Sequence, residues 1–169
     1  IEKLLTREEI KVKCVPYYGM INNDIGYIRL TSFTENAGAD VKDALTQLKQ
    51  KYNPKGVVLD LRYNPGGLLN EAVNVSNVCV SKGQDIVSTR GKLHDLDKTY
   101  KTINSPSDIE IPLAVLVNSG SASASEIVSG SIQDLDRGVI VGQRTFGKGL
   151  VQTTRPLSYN AQLKITTSK

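Results

Sequence analysis

Tryptophan is absent from the sequence, and histidine, methionine, phenylalanine and cysteine occur only one, one, two and two times. The core must therefore be built mainly from valine, isoleucine and leucine. One histidine, His94, and two distant cysteines, Cys14 and Cys79, are too few for a structural zinc site, so neither a metal nor a cofactor is expected. The cysteines match no Cys-x-x-Cys spacing; we expect buried free thiols and leave a disulfide between them open.

Long apolar runs and charge blocks are also missing. No run approaches the ~20 residues of a membrane-spanning helix. The net charge of +4 is spread along the chain, so nucleic-acid binding is not indicated. The sequence contains no signal peptide, which would show a charged segment followed by an apolar one. A mature fragment would lack a signal peptide too, so this does not identify the cellular compartment. The 169 residues, with 39% hydrophobic and 22% charged content, suit one globular domain.

Two short apolar runs predict buried strands that each lead through a turn of small residues into a helix. The strands and their helices are predicted at residues 56–61 and 68–80, and at residues 112–117 and 122–135. Two such units predict neighbouring parallel strands in one sheet. The turns that follow the strands, at Gly66-Gly67 and around Ser123, should then meet at one edge of the sheet.

The remaining pattern predicts one further helix and several strands. These are a half-exposed strand at residues 10–14, a hairpin strand at 25–30, a helix over 37–48, two polar-faced strands at 86–90 and 98–103, a short strand at 139–141, and a hairpin formed by 150–155 and 162–167. The expected fold class is α/β, with a mixed sheet, packed helices and additional β-hairpins.

Ser123 is a candidate nucleophile because it begins a helix that leaves a buried strand. Backbone N–H groups and the helix dipole favour negative charge there, which suits a reaction that develops an oxyanion. Small residues at this place would also serve as a helix cap. A serine nucleophile needs a base, and His94 lies in a polar connection where we expect a solvated surface residue. Because His94 is the one histidine of the sequence, a Ser-His-Asp triad is not favoured.

Lys148 is the candidate base. A lysine can replace histidine when its pKa falls several units below ~10.4, which burial among apolar groups achieves. The glycines on either side of Lys148 let the backbone approach another segment, and Phe146 is placed to exclude water. Gly66 and Gly67 follow a buried strand, where their amides could join that of Ser123 or Ala124 in holding an anionic oxygen.

Phosphate binding is the competing interpretation of the same loop. Residues 142–148 fit the first seven positions of the P-loop pattern, but Gly149 stands where Ser or Thr would hold magnesium. Residues 150–154 are β-like, so the helix that cradles the phosphate is not predicted. We therefore favour the nucleophile and base.

Four motifs resemble those of the C-terminal processing (tail-specific) serine peptidases. They follow one another in the same order as in that family, and the resemblance covers nearly the whole chain. They are Gly26-Tyr27-Ile28-Arg29-Leu30 with Ser32-Phe33-Thr34, Asp60-Leu61-Arg62 with Asn64-Pro65-Gly66-Gly67, Ser121-Ala122-Ser123-Ala124-Ser125-Glu126, and Thr145-Phe146-Gly147-Lys148-Gly149 with Gln152. The resemblance implies a fold related to the Clp protease and crotonase. By position, the resemblance implies that Ser123 is the nucleophile, that Lys148 is the general base and that Gln152 orients this base. It implies that the oxyanion hole is formed by Gly66, Gly67 and Ala124. Asp134 lies where some members have an accessory acid, and packing or capping roles are implied for Ser121 and Ser125.

For the protein as a whole, the resemblance implies a serine endopeptidase that cleaves protein substrates near exposed C-terminal tails through an acyl-enzyme. Residues 1–169 would be its peptidase core, a fragment without the PDZ domain of the family and cut short at its C-terminal end. An extracytoplasmic location, in the periplasm or cell envelope, is implied as well, and an oligomer is left open. The alternative is a catalytically silent module of the same fold that binds extended peptides along a sheet edge.

Overall fold

The computed structural model describes residues 3–4, 13–92 and 94–169. In chain order the elements are β1 (Tyr17–Met20), β2 (Ile25–Arg29), α1 (Ala37–Tyr52), β3 (Gly56–Asp60), α2 (Leu69–Asn77), β4 (Asp85–Thr89), β5 (Lys98–Lys101), β6 (Leu113–Val117), α3 (Ala124–Asp134), β7 (Val139–Gly142), β8 (Val151–Pro156) and β9 (Gln162–Ser168). Short 3₁₀ turns occupy His94–Leu96 and Ser158–Asn160. The three predicted helices and the strands predicted beyond residue 14 are confirmed. Of the strand predicted at residues 10–14, only residues 13 and 14 are described, and they are irregular.

The central sheet has the strand order β1-β2-β3-β6-β7. β1 pairs antiparallel with β2, and the other four strands run parallel. Leu59 of β3 lies opposite Val115 of β6. The predicted side-by-side placement of the two strand-turn-helix units is therefore confirmed, and both turns lie at the carboxyl edge of the sheet.

The core lies between the three helices and one face of the sheet. Alternate residues of β3 and β6 are buried there, among them Leu59 and Val115, with Leu48 and Ile132 from the helices against them. On the opposite face, residues of the same strands remain half-buried. The α/β class is confirmed, and branched aliphatic residues make up most of the core, as expected.

Two smaller elements complete the fold. β4 and β5 form one hairpin, and β8 and β9 form a largely exposed second one. Reciprocal backbone hydrogen bonds of 2.9 and 2.8 Å between Arg90 and Lys169 join the second hairpin to the end of β4. At the sheet edge, β7 exposes Val139 and Val141. Among the described residues, no helix is both long and apolar enough to cross a bilayer.

The central position of Val115 predicts a large cost for its truncation. Val115 is fully buried, whereas Val141 of the edge strand is 49% exposed. We expect Val115→Ala to lower the free energy of unfolding by about 2 kcal/mol, because it leaves a cavity in a packed core. Val141→Ala should cost less than about 0.5 kcal/mol. Urea unfolding of both variants measures the difference, and equal losses would contradict this account of the core.

Candidate active site

The two predicted turns meet through Asn64, which is fully buried. Its side-chain amide donates to the carbonyl of Leu30 at 2.9 Å, at the end of β2. Its own backbone carbonyl accepts the N–H of Ala122 at 3.0 Å and the hydroxyl of Ser125 at 2.9 Å. The turn after β3 is thereby tied to the neighbouring strand and to the turn that begins α3.

A charged cluster holds the start of the first turn. The guanidinium of Arg62 donates to the carboxylate of Asp60 at 2.7 to 3.1 Å, and the Tyr27 hydroxyl donates to the same group at 2.6 Å. Burial alone would raise the pKa of Asp60, but the hydrogen bonds from Arg62 and Tyr27 outweigh burial and hold that pKa below its ordinary value.

Of the three serines in the run, only Ser123 faces open space. The hydroxyls of Ser121 and Ser125 are buried and donate to the carbonyls of Leu61 and Asn64 at 2.8 and 2.9 Å. Their predicted packing and capping roles are confirmed. Ser123 is half-buried and lines a cavity of about 610 Å³.

The backbone of Ser123 adopts φ 56° and ψ −113°, a conformation that L-residues rarely take. Such strain is of the order of 1–3 kcal/mol and persists only when neighbouring contacts impose it. Here the contacts come from Asn64 on one side and from the first turn of α3 on the other. At this sharp turn Ser123 lines the cavity.

The cavity gathers six of the seven residues predicted for the site. These are Ser123, Lys148, Gln152, Gly66, Gly67 and Ala124. The seventh, Asp134, is exposed at the last position of α3, about 15 Å along the helix from its start. The structure therefore does not bring Asp134 to the other six.

The backbone amides at the cavity distinguish the two glycines. The N–H of Gly66, predicted as an oxyanion donor, already donates to the Asn64 side chain at 2.9 Å. The N–H groups of Gly67 and Ala124 donate no hydrogen bond within the described part of the chain. These two amides are the available donors.

Gly66 has a different, steric role. A Cβ at Gly66, whose φ is 98°, would lie 2.6 Å from the Ala122 carbonyl oxygen and 2.8 Å from the Ala124 nitrogen. Only a residue without a side chain lets the glycine turn approach the serine turn this closely.

Glu126 is the site residue that the sequence reasoning missed. Its carboxylate accepts the N–H of Ser123 at 2.8 Å, of Lys148 at 2.9 Å and of Gly147 at 2.6 Å. Burial alone would raise the pKa of Glu126, but hydrogen bonds from the Thr145 hydroxyl and these three amides outweigh it and hold the pKa below its ordinary value. The Ser-x-x-Glu spacing of a capping box was the available signal.

The walls of the cavity also include residues that no motif indicated. Leu68, Leu69 and Ile127 supply apolar surface, and Ser88 and Thr89 come from β4. The contribution of β4 depends on tertiary packing, so no local spacing could have predicted it.

Lys148 is half-buried at this cavity. The Phe146 amide donates to the Ser121 carbonyl at 3.0 Å, which fixes the backbone of the loop beside the serine turn. The Phe146 ring is 68% exposed, so the prediction that it excludes water from Lys148 is wrong.

The remaining candidates lie elsewhere or lack the required structure. The His94 side chain is 89% exposed, as predicted for a surface residue. Cys14 and Cys79 are free, and burial raises the pKa of the Cys79 thiol to about 11. Residues 142–149 lead into strand β8 rather than a helix, so the P-loop interpretation is not supported. In residues 3–4, 13–92 and 94–169, no three His, Cys, Asp or Glu side chains form a metal-binding group.

Comparison with known proteins gives consistent similarities. The profile of peptidase family S41 matches residues 24–169. The chain is 46% identical to a carboxy-terminal-processing protease of Bartonella bacilliformis, covering 97% of this chain and 38% of that protein. It is 36% identical to the carboxy-terminal processing protease CtpA of Bacillus subtilis, covering 100% of this chain and 35% of that protein. The chain thus spans little more than a third of these curated relatives.

Solved structures give the same result for the fold. The photosystem II D1 C-terminal processing protease superposes with a TM-score of 0.82 at 35% identity, over 97% of this chain and 45% of that chain. Mature CPAF shares the fold with a TM-score of 0.66 at 13% identity, over 85% of this chain and 42% of that chain. The expected fold related to the Clp protease and crotonase is confirmed.

The close approach at Gly66 predicts a severe effect of a single methyl group. Gly66→Ala should lower the free energy of unfolding by about 2 kcal/mol or more, because its Cβ collides with the backbone of the serine turn. Gly83→Ala is the matched control, since Gly83 also has a positive φ, 89°, but has nothing within 4 Å of its Cβ position. Thermal and urea unfolding of both variants measures the cost of the collision. Equal destabilisation would mean that φ alone, and not the contact, determines the effect.

The lowered pKa of Glu126 makes part of the folding stability depend on pH. Its contribution is complete above the unfolded pKa, near 4.5, and is lost as the pH falls through the lower folded pKa. We expect the difference in unfolding free energy between the wild type and Glu126→Gln to be constant between about pH 6 and 8 and to shrink below about pH 4.5. Urea unfolding at a series of pH values measures it. A difference that persists unchanged at pH values well below 4.5 would contradict the assignment.

Proposed function

The chain belongs to peptidase family S41, and we propose that it is the catalytic core of a serine endopeptidase that cleaves protein substrates near their C-termini. The observation that carries the proposal is one cavity that brings Ser123, Lys148 and Gln152 together with the unused amides of Gly67 and Ala124. A nucleophile, a base, a group to orient the base and two oxyanion donors are the set that acyl transfer requires.

In the first half of the proposed reaction, the neutral amine of Lys148 takes the proton of the Ser123 hydroxyl. The Ser123 oxygen attacks the carbonyl carbon of the scissile peptide bond, and the carbonyl oxygen becomes an oxyanion. The N–H groups of Gly67 and Ala124 hold this oxyanion. Collapse of the tetrahedral intermediate breaks the C–N bond, and the Lys148 ammonium returns its proton to the leaving amine.

In the second half, water replaces the amine. Lys148 takes a proton from the water, the resulting hydroxide attacks the acyl carbon, and Ser123 leaves with the proton. The side-chain amide of Gln152, on β8, orients the Lys148 amine by accepting a hydrogen bond from it. The apolar wall formed by Leu68, Leu69 and Ile127 receives a side chain of the substrate.

We also propose that the whole protein carries a PDZ domain that binds the C-terminal tail of the substrate. The relatives named carboxy-terminal processing proteases support this, since most of their length lies outside the matched region. The same resemblance supports an extracytoplasmic location.

A serine-reactive fluorophosphonate tests the proposal. We expect stoichiometric labelling of Ser123, loss of labelling in Ser123→Ala, and slowing by about 10²-fold or more in Lys148→Met, because general-base help is removed. The matched controls are Ser88→Ala and Lys164→Met, which change another serine and another lysine of the same cavity. Both controls should be labelled at the wild-type rate.

Two outcomes would contradict the proposal. Labelling that survives Ser123→Ala would assign the nucleophile to a different residue. No labelling of the folded wild type, together with peptide binding that the Ser123 and Lys148 variants leave unchanged, would identify a silent peptide-binding module instead.

A further inference from the structure

Glu126 joins the two segments that carry the proposed nucleophile and base. One carboxylate oxygen, Oε2, accepts the N–H of Ser123 at 2.8 Å and the N–H of Lys148 at 2.9 Å. Because both nitrogens bond to one atom, they lie within about 6 Å of each other. The other oxygen, Oε1, accepts the N–H of Gly147.

Building on the proposed function, we propose that Glu126 is a positioning residue that holds Lys148 at working distance from Ser123. Glu126 does not itself line the cavity. Glu126 binds the backbone of Ser123 and Lys148, which do line the cavity, so its effect on the reaction is indirect.

The loop around Lys148 depends on this carboxylate. Upstream, the N–H of Gln143 donates to Val117 at 3.1 Å and that of Phe146 donates to Ser121 at 3.0 Å. Within the described chain, the amides of Gly147 and Lys148 donate to Glu126 alone. The loop is therefore anchored to β6 at Gln143, where it starts, and to Glu126 at Gly147 and Lys148.

The contact also requires a carboxylate rather than an amide. A carboxylate offers only acceptors, and here it serves three backbone amides and the Thr145 hydroxyl. A glutamine in the same place has one acceptor oxygen and turns an NH₂ donor towards the remaining N–H groups. Because Oε2 serves Ser123 and Lys148 while Oε1 serves Gly147, either orientation of the glutamine amide leaves at least one N–H of the Gly147–Lys148 segment without its acceptor, and the anchoring of Lys148 weakens.

Glu126→Gln tests the proposal, and Glu71→Gln is the matched control. Glu71 lies in the first turn of α2, accepts the N–H of Gly38 at 2.8 Å and the side-chain amide of Asn74 at 3.0 Å, and does not line the cavity. We expect both variants to lose similar thermal stability. Only Glu126→Gln should increase amide hydrogen exchange at Gly147 and Lys148.

The kinetics of Ser123 acylation by the fluorophosphonate supply a second readout. Glu126→Gln should lower the maximal rate constant about tenfold or more while leaving the half-saturating probe concentration unchanged, because the base is misplaced but the cavity is intact. Glu71→Gln should change neither quantity. A purely structural role would affect both variants alike.

The outcomes separate this proposal from the proposed function. Unchanged exchange at Gly147 and Lys148 in Glu126→Gln would overturn the positioning role, and so would acylation as fast as in Glu71→Gln. If the wild type is not acylated at all, the proposed function fails. The exchange measurement then still decides whether Glu126 holds the loop.

Discussion

The geometry of the cavity depends on the buried hydrogen bonds of Asn64. Parallel pairing of β3 with β6 brings two turns to one edge of the sheet, but it does not fix their distance. Asn64 does so, because its side chain binds the end of β2 and the Gly66 amide while its carbonyl binds the serine turn. Asn64 and its partner residues are all buried, so losing any of these hydrogen bonds would leave a buried polar atom without a partner. Strain at Ser123 and the close approach of Gly66 are sustained by this network.

The architecture could be predicted because its signals are local. The branched runs before Asn64 and before Ser123 are typical of buried parallel strands, and the glycine and serine turns that follow are typical of strand-to-helix connections. Two such strand-turn-helix units in one chain predict neighbouring parallel strands, and this predicts that their two turns lie side by side. The predicted meeting of the Gly66-Gly67 turn with the turn around Ser123 agrees with the cavity that they share, and Lys148 and Gln152, which the resemblance indicated, line the same cavity.

What could not be predicted is decided by individual contacts. Spacing cannot tell that the Gly66 amide is already used by Asn64, or that the Phe146 ring lies outside the loop rather than beneath it. Asp134 illustrates the limit of carrying a role over by position, because the length of α3 places it far from the cavity. Glu126 could be read as a helix cap from its spacing, but its second partner, the Lys148 loop, is 22 residues away and depends on the fold.

The open edge of β7 has a consequence for handling the chain in solution. A parallel sheet is ordinarily covered on both faces, and its last strand is ordinarily shielded by a neighbouring element. Here Val139 and Val141 remain accessible beside a row of backbone groups that no described residue pairs. Concentrated samples of this chain are therefore expected to aggregate edge to edge, and charged substitutions on β7 would suppress this without altering the cavity, which no β7 residue lines.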